Sequence, residues 1–320
     1  MRVVAVAIAC LVFAAGPCRA ADPPQNPPTT DWAPIETVVV TAQAEGPAFW
    51  HIKKGDSEIW ILGTVSPLPK AMPWNSAHLA ALIKGSRLVL TPPIATAGFF
   101  ETSWFLLTHR GLLSMPDGKK LEDTLPPDLK ARFVAARTGL ALGPEKFDDD
   151  PPIVATLELQ KRYNAAHDLV SDEPWETVRR LAKENHVPVK PIGEYGALGM
   201  IKEMLRLPQE GQQKCLAEAL DYADFETLHN GTLSNAWALG NLKEIKAHFA
   251  PASFGQCVKQ ASSFDKFIDL AVADSLKAIH DALAQPGKVV LLTDIGSLLR
   301  STGVAEELHK EGVVIEGPAE

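Results

Sequence analysis

From Phe49 onward, short apolar runs alternate with longer segments whose apolar residues recur every three or four positions. FWHIKK (Phe49–Lys54), the pair Gly55-Asp56 and SEIWILGTV (Ser57–Val65) read as a β-hairpin, two β-prone runs joined by turn residues. MPWNSAHLAALIKGS (Met72–Ser86) reads as a helix, with Asn75 or Ser76 as N-cap and Gly85 closing it. SRLVLTPP (Ser86–Pro93) is a second buried strand, stopped by its two prolines. Strand, helix and strand at this spacing make a βαβ crossover, so the two strands run parallel.

The middle of the chain is patterned for helices. Ala97–Ser114 is apolar and aromatic, Pro127–Thr138 is amphipathic, and Phe147–Ala166 begins with acidic residues and prolines suited to a helix N-terminus. DEPWETVRRLAKENHVPVKPIGEYG (Asp172–Gly196) then runs helix, turn and a short strand at Val187–Ile192. From Gly196 to Ala284 the pattern is helical only. Phe264, Ile268, Val272, Ser275, Ile279 and Leu283 share one face of the last long helix. A strand returns at KVVLLTD (Lys288–Asp294), a helix spans Gly296–Gly312, and VVIEG (Val313–Gly317) closes a second βαβ unit. The expected fold is α/β: a central, largely parallel sheet built from N- and C-terminal βαβ units. One domain over residues 48–318 then carries a helical insertion at about 97–284.

The N-terminus is of a different character. Residues 1–20 (MRVVAVAIACLVFAAGPCRA) have one early positive charge, an apolar centre and a small-residue exit, the pattern of a secretory signal peptide cleaved near Ala20. Lipidation at Cys18 is disfavoured by Pro17. The apolar stretch is shorter than the ~20 residues that span a bilayer, and no later run reaches that length. The expected address is the periplasm or the exterior, with no transmembrane span in the mature chain. Residues 21–47 are a Pro-rich tail with little to bury. Within it, IETVVVTAQ (Ile35–Gln43) resembles the TonB box of outer-membrane receptors, which adds as a strand to a periplasmic partner. An edge strand or linker is the plainer reading.

Charge and cysteines narrow the classes. With 31 basic and 39 acidic residues the formal net charge is −8, which argues against nucleic acid and against electrostatic docking on anionic lipid. Removing the signal leaves Cys215 and Cys257, an even pair in an oxidising compartment, so a disulfide is expected. It would close a loop of roughly 43 residues, worth about 4 kcal/mol in the chain-entropy model.

In a parallel sheet, chemistry belongs in the loops past the carboxyl ends of the strands. Two such loops stand out: Gly63-Thr64-Val65-Ser66 and Thr293-Asp294-Ile295-Gly296-Ser297. With ILGTVSPLP (Ile61–Pro69), KPIGE (Lys190–Glu194), WALGNL (Trp237–Leu242) and GVAEELHKEGVVIEGP (Gly303–Pro318), they resemble the TraB/GumN family, relatives of the Tiki metalloproteases and of the erythromycin-esterase and ChaN-like folds. The resemblance runs from Phe49 to Pro318. It implies a first strand leading into Gly-Thr-aliphatic-His, a second ending in Glu, a middle acidic motif and a late Gly-x-x-His-Leu loop. On those positions stand Ser66, Thr91, Glu194 and Ser297. Only Glu194 keeps the family residue. The family's Arg-Asn pair is also missing; Ala271 and Val272 lie near where it would fall.

Serine hydroxyls are neutral and poor ligands for zinc or manganese, which prefer N, S or carboxylate O. The resemblance therefore implies a site unable to hold a water-activating cation. The expected cleft is Gly63, Thr64, Ser66, Thr91, Glu194 and Ser297, with no cofactor, binding a small ligand, a peptide or an envelope protein. The alternative is a metal-dependent, peptidase-like hydrolase rebuilt around Ser66, Glu194, Asp294 and Ser297. A Ser-His hydrolase lacks a base, since His51, the nearest candidate, falls at the start of its strand and no Gly-x-Ser-x-Gly elbow occurs. Asp294 either titrates abnormally in its loop or caps the following helix. Asp148–Asp150 reads as a helix N-terminus before a calcium site. Trp50, Trp60, Trp74 and Trp104 read as packing before a carbohydrate groove, and Trp237 as structural.

Overall fold

The computed structural model describes residues 46–171, 173–249 and 262–318. The signal-peptide stretch, the segment Ile35–Gln43, Cys257 and the side chains of Phe264 and Ile268 lie outside the described residues. The hairpin forms as expected: β1 (Phe49–Lys54) pairs antiparallel with β2 (Ser57–Thr64) around Gly55, whose φ of 59° suits glycine. After the short β3 (Leu68–Pro69), α1 (Ala77–Ile83) leads to β4 (Ser86–Thr91). Asn75 Oδ1 accepts from the Ala77 N–H at 3.0 Å, and Gly85 turns the chain out of the helix at φ 87°.

The strip β5 (Ile94–Thr96) follows, then α2 (Phe99–Thr108). Next come α3 (Leu121–Thr124), α4 (Pro127–Gly139), α5 (Pro152–Ala166), β6 (Leu169–Val170) and α6 (Trp175–Glu184). The strands β7 (Val189–Pro191) and β8 (Glu194–Gly196) precede α7 (Ala197–Leu205), α8 (Gln209–Ala238), α9 (Leu242–His248) and α10 (Ser262–Leu283). The chain then returns through β9 (Gly287–Asp294), α11 (Ile295–Leu299) and α12 (Val304–Lys310).

The central sheet has the order β1-β2-β9-β4-β7, parallel except for β1. The two strands of the N-terminal βαβ unit are thus parallel but not adjacent: β9, from the far end of the chain, lies between them. Val289 to Leu292 are fully buried, as are Ile59, Ile61 and Leu62. That continuous apolar run is what a parallel strand covered on both faces requires.

Several details differ from the sequence reading. The final segment adds no parallel strand; it makes a single antiparallel bridge, Glu316 to His51. Because β2 and β4 already occupy both sides of β9, the segment cannot pair beside it and lies instead against the edge strand β1. A segment travelling in the direction of β9 necessarily meets β1 antiparallel. The single helix expected over Gly296–Gly312 is two helices, broken before Gly303, where a Cβ would lie 2.6 Å from the Ser297 carbonyl oxygen. The short strand expected at Val187–Ile192, by contrast, does form, as β7, and joins the main sheet at its edge.

The main core surrounds this sheet and includes α1, α6, the end of α8, α10, α11 and α12. On the face of α10 read from the sequence, Val272, Ser275, Ile279 and Leu283 are buried. Two satellite clusters hold the insertion together, one around Phe133 and Phe147 and one around Phe105, Ile153 and Cys215. No helix among the described residues is long and apolar enough to cross a membrane.

Candidate functional site

The parallel register decides where the loop residues go. Thr64 pairs with Asp294, Leu90 with Leu291, and Thr91 with Pro191. The carboxyl ends of β2, β9, β4 and β7 therefore share one edge of the sheet. Past short breaks at Pro92-Pro93 and Ile192-Gly193, β4 and β7 continue as the parallel strip β5/β8, where Ile94 pairs with Glu194. Ser66 and Ser297 grow from neighbouring strands, and Thr91 from the next one. Glu194 follows the strand beyond that. At about 4.8 Å per strand, the roots of the outer two are about 14 Å apart.

Half of the expected cleft serves the sheet rather than its mouth. Gly63 is buried, and a Cβ there would come within 2.7 Å of Trp50 Cζ3 and 3.2 Å of Ile295 Cγ1. Its carbonyl accepts the indole N–H of buried Trp237 at 2.8 Å. Buried Thr64 donates its hydroxyl to the Thr293 carbonyl at 3.1 Å, and buried Thr91 donates to that of Lys190 at 3.1 Å. These three residues pin strand ends together. Exposed Ser66, half-buried Ser297, exposed Glu194 and exposed Asp294 remain at the edge.

Asp294 caps α11, its Oδ1 accepting the Ser297 N–H at 2.9 Å. The residue is exposed at the sheet edge, and neighbouring groups partly desolvate its carboxylate. That desolvation raises its pKa, against the opposing pull of the Ser297 hydrogen bonds and of Arg300. Of the two sequence readings of Asp294, the helix cap is the one present in the geometry. At the other end of α11, burial lowers the pKa of Arg300 against the pull of Asp294 and Asp269, and its buried Nε has no hydrogen-bond partner among the described residues.

Next to Glu194, the Tyr195 hydroxyl donates to Asp274 Oδ2 of α10 at 2.6 Å. Burial, and then Asp274, raise the phenol pKa well above its ordinary value. Gly193 makes the room, since a Cβ there would lie 2.8 Å from that same carboxylate oxygen. Sequence reasoning missed Tyr195, Asp274 and Arg300. The only available signal was Tyr195 beside the quoted Glu194; nothing local links it to a helix almost eighty residues later.

The other candidates resolve into packing. His51 lies opposite Trp60, stacked on it at 4.2 Å, with its Nδ1 3.1 Å from Glu316 Oε2. Trp60 is four residues, about 13 Å, before the end of β2, so His51 is no base for Ser66. Trp50 is buried, and Trp74 meets Trp237 edge to face at 5.2 Å. Trp104 departs from the core reading and stands 67% exposed. In the acidic triplet, Asp148 pairs with Lys120 at 2.7 Å and Asp150 is partly buried, which raises its pKa.

Among the described residues, no group of three His, Cys, Asp or Glu side chains is placed to hold a metal ion. Hydroxyls and separated carboxylates can hydrogen-bond a polar ligand. They do not fit the divalent cation that the family resemblance implies.

Comparison with protein families gives a match to the model described as the TraB/PrgY/gumN family, over residues 48–317. Comparison with curated proteins and with solved structures gives no match.

Proposed function

We propose, from the premise that this chain belongs to the TraB/PrgY/gumN family, that it is an exported envelope protein working by binding rather than catalysis. Its ligand, a small polar molecule, a peptide or an envelope partner, docks at the carboxyl edge of the sheet. One observation carries this reading: the edge where β2 and β9 end side by side offers Ser66 and Ser297, neutral groups with little affinity for a Lewis-acidic cation. Export to the periplasm or exterior follows from the N-terminal signal pattern. Disulfide-bonded Cys215 pairs, in this reading, with Cys257. A TonB-type partner for Ile35–Gln43 belongs to the same proposal at its outer limit.

A second reading, a hydrolase rebuilt around Ser66, Glu194, Asp294 and Ser297, draws support from the raised pKa of Asp294 beside Ser297. Calorimetric titration with zinc and with manganese separates the two. The binding reading expects no stoichiometric uptake by the natural chain, and uptake of zinc by a Ser66→His/Ser297→His variant. One equivalent bound by the natural chain and lost in Glu194→Ala would overturn it in favour of the hydrolase.

A further inference from the structure

The α2 segment FFETSWFLLT is apolar around most of its circumference, yet only Phe105 is buried, against Ile153, Met204, Leu205 and Cys215. A helix apolar on all sides belongs between two covering surfaces, and among the described residues one is missing. Phe99 is 79% exposed, Phe100 85% and Trp104 67%. Phe100, Trp104 and Leu107 fall at i, i+4 and i+7 on one face, with exposed Leu106 and Phe99 beside them and Ile94 just upstream.

At about 200 Å² per aromatic side chain, the three aromatics alone present on the order of 450 Å² of apolar surface. With the aliphatic neighbours the patch reaches about 700 Å², beyond what a typical monomer leaves open. Isolated surface apolar residues need no explanation; a contiguous set on one helix does.

We propose that this face is where a second copy of the chain docks, α2 against α2 about a twofold axis. Two observations favour that occupant. Doubled by symmetry, the patch buries about 1,400 Å², within the range of a stable pairwise interface, and an apolar face needs no complementary charge to meet itself. The rival occupant is a lipid surface, which is favoured by Lys and Arg along the polar face of an interfacial helix. From Phe99 to Thr108 there is neither, only Glu101, and the whole chain carries −8. The association stands independently of what the sheet edge binds.

Sedimentation velocity on the full chain, expressed with its own leader, at about 1 to 50 µM tests this. A dimer is expected, and Phe100→Glu/Trp104→Glu should raise its dissociation constant at least tenfold without changing the circular dichroism spectrum. Should that pair of charges unfold the protein, Phe100→Ser/Trp104→Ser replaces it with the same expectation. A natural chain monomeric across the range, or dimers that survive the substitutions in a folded variant, overturns the proposal. So does a monomer that floats with neutral phosphatidylcholine vesicles and loses that property in the variant, which would assign the face to lipid.

Discussion

The end of β2 and the helix α2 are both aromatic-rich, and they treat their aromatics in opposite ways. At the strand end, Trp50 and Trp237 are buried around Gly63, one filling the space a side chain would need and the other hydrogen-bonded to its carbonyl. On α2, three aromatics face outward and one residue, Phe105, holds the helix down. The contrast teaches that motif-like residues at the sheet edge are there largely to keep strands in place. The surface open for recognition begins where that packing ends.

Trp237→Ala should have the largest effect, because it empties a fully buried indole site and orphans the Gly63 carbonyl. A loss of about 3–5 kcal/mol is expected in urea unfolding. A loss under about 1 kcal/mol would mean that the strand end is not held this way. Gly63→Ala should cost about 1–3 kcal/mol, since Trp50 must move to admit the methyl. Paired with Trp50→Leu, which opens that space, the glycine substitution should lose much of its cost; unchanged additivity would show that the two do not touch.

The smallest effect is expected at Asp294→Asn, within about 0.5 kcal/mol near pH 7, because asparagine caps helices as well as aspartate does. Its pH dependence is the informative part. A carboxyl whose folded pKa is raised adds stability below its unfolded pKa of about 3.9, and loses it as pH rises through the folded value. The stability of Asp294→Asn relative to the natural chain should therefore grow between about pH 4 and pH 7. A gap that stays constant over that range would mean the carboxylate is fully solvated.

Much of the sheet was legible because its signals are local. Gly55 announces the hairpin, Gly85 ends α1, and the apolar run within Lys288–Asp294 marks a strand. Strand order was not legible in the same way. Nothing near Lys288–Asp294 says that it slides between β2 and β4, and its place there keeps Val313–Gly317 from pairing beside it; the segment bridges to β1 instead. At the site, positions could be read from the motifs but partners could not. That Thr91 spends its hydroxyl on Lys190, or that Tyr195 reaches Asp274, depends on contacts between distant segments. Trp104 was misread because helical spacing alone does not distinguish an inward face from an outward one on an element apolar nearly all round.

The position of β9 has a consequence for how the molecule comes into being. Its middle strand is made from residues 287–294 of 320, so for most of synthesis β2 has only β1 and β4 only β7 to lie against, and nothing joins the two halves. Assembly of the sheet must wait for nearly the whole polypeptide, the slow, non-local kind of folding. Such a delay would suit the export proposed above, and it makes the last thirty-odd residues the ones whose loss leaves the rest without a centre.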